Sequence, residues 1–93
     1  MTHEQIILLK KGDVIKASQY ELIVSDIRDY GNGLNPNLVM VDALPRYPAE
    51  FGIKEGEILC DIIAIFCDYI RPAGEVETTL LSKMEEHYGL ENF

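Results

Sequence analysis

The sequence predicts an α+β domain, with a small antiparallel sheet of three to four strands followed by a C-terminal helical hairpin whose first helix is largely buried. Three observations support this fold class. Short runs of alternating or branched apolar residues dominate the first half of the 93-residue chain. Residues 57–71 are apolar around most of a helical wheel, and a second run with helical spacing begins at residue 75. No linker or repeat divides the chain, so we expect a single domain over residues 1–93.

Four segments of the first half are predicted to be strands. Residues 5–9, with IILL at their centre, form the first, and a turn at 10–13 (KKGD) leads into the second at 14–17. Residues 20–27 come close to the alternation of a half-buried strand. The fourth strand, at 38–43 (LVMVDA), consists mainly of branched and apolar residues. Most of these strands are expected to pair antiparallel.

Two connections have the composition of loops. Residues 29–37 (DYGNGLNPN) hold two glycines, three asparagines and a proline, which supply positive φ angles or preset turns. The segment GNGLNP lacks the Lys-Ser or Lys-Thr of a P-loop and the third glycine of a dinucleotide-binding motif, so we interpret it as a turn. Residues 44–56 contain two prolines and two glycines and leave room for at most one helical turn.

The run from residue 57 to residue 71, EILCDIIAIFCDYIR, is predicted to be the central helix of the domain. On a helical wheel its polar residues form one narrow stripe with Ala64, namely Glu57, Asp61, Asp68 and Arg71. A buried strand is the alternative, because the five isoleucines favour extended structure. However, Asp61 and Asp68 have opposite parity, so one uninterrupted strand would direct an aspartate into each face. We therefore predict a helix that buries all but the stripe.

A second helix is predicted from residue 75, after the sequence RPAG has ended the first. Glu75 and Glu77 would place negative charge in its first turn, where the helix dipole favours it. Gly89 is a suitable C-terminal stop. The apolar residues that recur at helical spacing and define the buried face are Val76, Leu80, Leu81, Met84 and Tyr88.

The net charge of −8 is unevenly distributed along the chain. Residues 1–49 carry six acids and five bases, whereas residues 50–93 carry ten acids and three bases. Such an acidic second half repels nucleic acid and anionic lipid and attracts a basic partner at a rate that falls with added salt. The alternative is that the acids only keep a small protein soluble.

The leading hypothesis is a small acidic intracellular regulator or inhibitor that presents its carboxylate-rich C-terminal half to a basic protein and does not bind nucleic acid itself. One version is mimicry of nucleic acid phosphates, as in small anti-restriction or anti-defence proteins of phages. Charge reversal of the acids on the second helix is then expected to weaken partner binding without unfolding the domain. The residues expected to be exposed for partner binding are Glu50, Glu55, Glu57, Asp61, Asp68, Glu75, Glu77, Glu85 and Glu86.

No catalytic, cofactor or metal site is predicted, so we expect a binding protein and not an enzyme. His87 has neighbouring carboxylates but no second histidine placed to help it, which is typical of a solvated histidine. Cys60 and Cys67 lack a CxxC partner and are expected to pack as small, buried apolar residues. On a helix, Asp61 and Asp68 would lie about 10 Å apart, near the upper end of carboxylate pairs that work across a water. An enzyme that used them would need both side chains in one pocket.

The cysteine content and the N-terminal sequence predict a cytoplasmic protein. Two cysteines seven residues apart on one helix cannot easily form a disulfide, so free thiols and a reducing compartment are expected. Lys10 and Lys11 follow the first apolar patch, which is the reverse of a secretory signal. The longest apolar run is broken by aspartates and is too short to span a bilayer, so no membrane association is expected.

A family resemblance suggests an alternative function. In residues 38–59, LVMVDALPRYPAEFGIKEGEIL, a strand leads through a Pro-Ala pair into a Gly-Ile-Lys-x-Gly-x-Ile segment, which resembles the middle of a PDZ domain. The resemblance implies a peptide-binding module with a groove between a strand and the second helix and little dependence on salt. No counterpart of the family's carboxylate-binding loop precedes Tyr20, so no binding residues are carried over. The matching positions are Pro48, Ala49, Gly52, Ile53, Lys54, Gly56 and Ile58.

A structural homo-oligomer subunit is a further alternative. Aromatic residues that lie in predicted loops or at the terminus would suit the face of a homodimer. These residues are Tyr30, Tyr47, Phe51 and Phe93.

Overall fold

The computed structural model describes residues 1–54 and 56–91, with side chains up to residue 84. Within this part of the chain, a five-stranded antiparallel sheet has the order β4-β3-β2-β1-β5. A short helix precedes the sheet and a long one follows it. In chain order the elements are α1 (His3–Leu8), β1 (Val14–Ala17), β2 (Tyr20–Asp29), β3 (Val39–Pro45), β4 (Leu59–Ile63), β5 (Asp68–Arg71) and α2 (Glu75–Glu91).

The α+β class and the antiparallel sheet are confirmed, and the sheet has one strand more than the three to four predicted. The strands predicted at 14–17, 20–27 and 38–43 correspond to β1, β2 and β3. The loop at 29–37 is also confirmed, apart from a 3₁₀ turn that begins at its end, Pro36–Leu38. The connection at 44–56 contains the single helical turn that its prolines allowed, the 3₁₀ turn Pro48–Phe51.

The predicted central helix at 57–71 is wrong. This run forms β4, a 3₁₀ turn at Ala64–Phe66, and β5, and the two strands lie at opposite edges of the sheet. A strand was rejected because one uninterrupted strand would direct an aspartate into each face of the sheet. In the structure the extended run is interrupted at two places. The 3₁₀ turn separates the two aspartates, and Asp61 adopts a left-handed conformation with φ of 59°. With this break the β-branched residues of the run are free to follow their extended preference.

Both edge strands contain a bulge. In β4, Leu59 pairs with Ala43 and Ile62 pairs with Val41, so two residues of β4 lie opposite one residue of β3. In β5, Arg71 pairs with Val14 and Tyr69 pairs with Ile15, which leaves Ile70 as the extra residue. Cys60 and Asp61 are the extra pair in β4, and both are exposed.

The segment predicted as a first strand is α1. Thr2 and Gln5 form a capping box, in which the Gln5 amide donates to Thr2 Oγ1 at 3.2 Å and the Thr2 amide donates to Gln5 Oε1 at 2.9 Å. This cap starts a helix in a run whose apolar residues alone do not distinguish helix from strand. Ile6 and Leu9 enter the core, whereas Ile7 is 78% exposed.

The two faces of the sheet are covered by different elements. On one face, Ile15, Leu22 and Val41 belong to the main core cluster, against which α1 and the turn Ala64–Phe66 pack. On the other face, Ile23 and Leu44 pack with Leu81 of α2, and Leu80 and Met84 are partly buried against them. These apolar contacts hold the described part of α2 to the sheet.

The predicted second helix is confirmed as α2, with two differences. The helix passes Gly89 and is described as far as Glu91, so the predicted stop at Gly89 is wrong. Of the predicted buried face, Leu81 is buried and Leu80 and Met84 are half-buried, but Val76 is 57% exposed. The predicted contact of Tyr88 falls outside the side chains that the structure describes.

Substitution of Gly12 by alanine is expected to destabilise the protein by about 2–4 kcal/mol in urea denaturation. Gly12 has φ of +97°, and an added Cβ would lie 2.8 Å from the Cβ of Ala73, so backbone strain and overpacking both contribute. Gly33→Ala is the matched control, because Gly33 has φ of +81° but open space around the new Cβ. It should cost about 1–2 kcal/mol from strain alone. Equal losses in the two variants would contradict the close approach of Gly12 to Ala73.

Candidate functional site

Four of the predicted partner-binding acids are placed as expected. Glu50, Glu57, Asp68 and Glu75 are exposed, and none of them forms an ion pair with another described residue. We refer to these four as the exposed carboxylates. Three further predicted residues fall outside the description, namely Glu55 and the side chains of Glu85 and Glu86.

Asp61 is exposed but already has a cationic partner. Arg28 Nη2 donates to Oδ1 of Asp61 and to Oδ1 of Asp42, both at 2.5 Å. The Asp61 amide also donates to Asp42 Oδ1 at 3.1 Å, so the two carboxylates and the guanidinium form one cluster across the β4 bulge. Burial opposes the charge of Arg28, but the two carboxylates outweigh it and raise the pKa of Arg28. Asp61 is therefore less available to a partner than the exposed carboxylates.

The prediction that Glu77 is an exposed partner-binding residue is wrong, because its side chain is 2% exposed. Glu77 Oε2 accepts a hydrogen bond from the Gly74 amide at 3.0 Å, which places the carboxylate across the start of α2. Its Oε1 accepts from Arg71 Nη2 in a short ion pair and from Arg46 Nη1 at 3.5 Å. Glu77 thus joins α2 to β5 and to the end of β3.

These contacts lower the pKa of Glu77 to about 2 from its ordinary value of 4.5. The hydrogen bond from Arg71 contributes most, and burial opposes it by favouring the neutral acid. The backbone hydrogen bond from Gly74 lowers the pKa further. Glu77 therefore stays ionised inside the protein because its donors outweigh the cost of burial.

All three arginines of the chain form ion pairs within the protein. Arg28 pairs with Asp42 and Asp61, Arg71 with Glu77, and Arg46 lies between Glu77 and Glu21 at 3.5 and 3.8 Å. The acids paired with these arginines are therefore Glu21, Asp42, Asp61 and Glu77, and not the exposed carboxylates.

A groove of about 500 Å³ lies between the end of β3, the 3₁₀ turn that follows it, and α2. Its walls are mostly apolar. Leu44 is buried at its base, Tyr47 is 52% exposed at its side, and Met84 belongs to the α2 wall. We call this feature the β3–α2 groove, and its described lining consists of Leu44, Pro45, Arg46, Tyr47, Pro48, Ala49, Gly56, Leu80, Lys83 and Met84.

The charges in the β3–α2 groove are of one sign. Arg46 and Lys83 line it, and none of the lining residues that the structure describes is acidic. The Arg46 guanidinium lies 5.8 Å from the centroid of the Tyr47 ring, within reach of a cation–π interaction. The resemblance to PDZ domains implied a groove between a strand and the second helix, but the residues that line this groove were not identified from the sequence. Lys83 follows Leu80 by three residues and so shares a helix face with it, but the opposite wall comes from a distant turn.

A second cavity, of about 430 Å³, lies beside α1 and the loop after β2. Its lining includes Ile7 and Leu34, which are 78% and 90% exposed. Phe66, in the turn that contacts α1, is 81% exposed. Ile7 and Leu34 belong to the N-terminal half of the chain, whereas Phe66 lies two residues before Asp68 of β5.

The aromatic residues proposed for a homodimer face are divided between different parts of the surface. Tyr30 and Tyr47 are 58% and 52% exposed, but Tyr47 belongs to the β3–α2 groove. Phe51 is half-buried and packs against Tyr20, with ring centroids 4.4 Å apart. Phe93 lies outside the described residues.

The remaining candidates for chemistry do not come together. Asp61 and Asp68 lie on the opposite edge strands, so they do not form a carboxylate pair in one pocket. Cys67 is buried and its pKa is raised by burial, whereas Cys60 is exposed, contrary to the prediction that both pack inside. Both thiols are free. No group of three or more possible metal-ligating side chains occurs among the described residues, and His87 lies outside the described side chains.

Comparison with family models, with curated proteins and with solved structures found no match to this chain. Within the described residues, neither helix is long and apolar enough to cross a membrane. Function must therefore be argued from the geometry and charge of this chain alone.

Substitution of Glu77 by glutamine is expected to destabilise the protein by about 3–5 kcal/mol, because it leaves Arg71 and Arg46 without their buried counter-charge. Glu75→Gln is the matched control in the same helical turn, and it should cost less than about 0.5 kcal/mol because Glu75 is exposed. Urea denaturation of both variants gives the comparison. A loss in Glu77→Gln as small as that in Glu75→Gln would contradict the buried ion pair.

The stability contributed by Glu77 is expected to depend on pH in the acid range. Because the pKa of Glu77 is lowered on folding, its contribution is complete above the unfolded value near 4.5 and is lost as the pH falls towards 2. The difference in unfolding free energy between the wild type and Glu77→Gln should therefore be constant from pH 7 to about 5 and shrink below that. A difference that stays constant down to pH 2.5 would show that Glu77 has an ordinary pKa.

Proposed function

We propose that this protein is a small acidic regulator or inhibitor that acts by binding a basic protein through the carboxylates of its second half. The observation that carries the proposal is the division of charges. The three arginines form ion pairs with other acids of the chain, while the exposed carboxylates have no ion pair among the described residues. A surface of this kind accelerates association with a cationic partner and repels anionic ones.

In this proposal the partner-binding residues are Glu50, Glu57, Asp68 and Glu75 and not Glu77, and they are spread over the β3–β4 connection, β5 and the first turn of α2. In this proposal the protein is not an enzyme and needs no cofactor, and it acts in the cytoplasm, where Cys60 and Cys67 would remain reduced. A nucleic acid mimic is one version, in which the partner is a nucleic-acid-binding protein. In that version, DNA added in excess should displace this protein from its partner.

A second candidate function, a peptide-binding module, is favoured by the β3–α2 groove. The groove lies between the end of a strand and the second helix, which is where the resemblance to PDZ domains implied one. Its mostly apolar walls suit side chains of a peptide. The homodimer remains a prediction, and sedimentation over a concentration series would test it.

Charge reversal of Glu57 and Glu75 to lysine is expected to reduce capture of the partner from a host lysate about tenfold at low salt, because attractive pairs become repulsive. High salt should remove the partner from the wild type as well. Mass spectrometry identifies and quantifies the bound proteins. The fold should persist in the variant, because both side chains are exposed.

Glu4→Lys with Asp26→Lys is the matched control. It makes the same change in net charge, and both residues are exposed in the other half of the chain. The proposal requires this control to retain the partner. If both double variants lose the partner equally, the effect comes from net charge and not from the positions of Glu57 and Glu75. If both variants still capture the partner at high salt, binding through the exposed carboxylates is refuted.

A further inference from the structure

The β3–α2 groove departs from the charge of the rest of the chain. The protein has 16 acids and 8 bases, and acids outnumber bases by ten to three in residues 50–93. The described lining of the groove nevertheless contains two bases and no acid. The groove is thus a locally cationic, apolar site on an acidic protein.

The two cations of the groove have different roles. Arg46 forms ion pairs with Glu77 and Glu21, at 3.5 and 3.8 Å, and its guanidinium lies near the ring of Tyr47. Lys83 is exposed on α2 and forms no ion pair with a described residue. Among the described residues, Lys83 is therefore the groove cation with no counter-charge, and Arg46 adds a guanidinium of fixed position.

The β3–α2 groove is large enough to hold a ligand. Its volume of about 500 Å³ is within the range of ligand-binding clefts, about 300–1,000 Å³. Leu80 and Met84 lie one turn apart on α2 and are only half-buried, and methionine adapts to partners of different shape. Pro45 and Pro48 on the opposite wall have no amide to donate, so side chains more than backbone would hold an occupant.

We infer that the β3–α2 groove binds a peptide segment of a partner protein that combines large apolar side chains with aspartate or glutamate. The apolar side chains fill the space between Tyr47, Leu80 and Met84, and the carboxylate of the segment lies near Lys83. A nucleic acid would offer negative charge but no aliphatic side chains to fill the space between Tyr47, Leu80 and Met84. A basic segment would be repelled, because its positive charge would lie beside those of Lys83 and Arg46.

This inference rests on the second candidate function, the peptide-binding module, and adds the chemistry of the peptide. It differs from the leading proposal, in which the partner is basic and meets the exposed carboxylates. The affinity of a wholly apolar groove for a peptide would depend little on salt. An ion pair between Lys83 and a carboxylate of the peptide adds an electrostatic contribution that salt weakens.

The test is selection from a displayed library of random twelve-residue peptides on the immobilised protein. The expected result is a cluster of selected peptides that share apolar residues and an acid. Synthetic peptides from this cluster, measured by fluorescence anisotropy, should bind Lys83→Glu at least about tenfold more weakly than the wild type, which corresponds to about 1.4 kcal/mol. Replacing the peptide's acid by its amide should weaken binding to the wild type and not to Lys83→Glu.

Lys10→Glu is the control variant, because it makes the same change of charge at an exposed lysine outside the groove. Thermal unfolding of both variants confirms that they fold. Failure to obtain an acidic and apolar cluster, or equal weakening by Lys10→Glu, would overturn the inference. Neutral apolar peptides that bind wild type and Lys83→Glu alike would overturn the acidic requirement while supporting a peptide-binding module. Selection of basic peptides alone would overturn the inference and support the exposed carboxylates.

Discussion

The buried carboxylate of Glu77 joins β5, the end of β3 and the start of α2, because Arg71, Arg46 and the Gly74 amide all donate to it. Burial of an ion pair costs several kcal/mol per ion, and only a fully bonded arrangement offsets that cost. The described apolar contacts of α2 come from Leu80, Leu81 and Met84, and Glu77 adds polar contacts in the first turn of the helix. This carboxylate and the apolar contacts together hold α2, and with it one wall of the β3–α2 groove, against the sheet.

The same interaction explains how Arg46, from the first half of the chain, comes to lie beside Lys83 of the acidic second half in one groove. Glu77 holds Arg46 in the wall of the groove, so one buried acid positions a base where an occupant would meet it. The exposed carboxylates Asp68 and Glu75 lie on β5 and in the first turn of α2, outside the groove lining. The described bases of the groove and these acids therefore occupy different positions on the surface of one small protein.

Much of the fold could be predicted from local patterns. β1, β2, β3 and α2 follow runs whose alternation or helical spacing is clear, and the glycine-rich loop after β2 follows its composition. α1 was missed although its signal is local, since Thr2 and Gln5 have the spacing of a capping box.

The remaining features depend on contacts that sequence spacing does not show. Whether residues 57–71 continue as a helix or divide into two strands depends on Asp61, whose left-handed backbone lies against Asp42 of a neighbouring strand. The charge of Glu77 in the first helical turn was expected, but its burial requires Arg71 and Arg46 to converge on it. The groove combines a helix face with a turn more than thirty residues earlier in the chain, so neither segment indicates it alone.

The bulges in β4 and β5 also affect how this protein behaves among copies of itself. The segment 57–71 has five isoleucines and supplies both edges of the sheet, so regular strands there would invite other chains to add to the sheet and polymerise. A strand arriving at β4 meets the left-handed turn at Asp61 together with its charge, and one arriving at β5 meets the extra residue Ile70. The bulges made the two strands difficult to recognise in the sequence. In the folded protein they also oppose fibril growth.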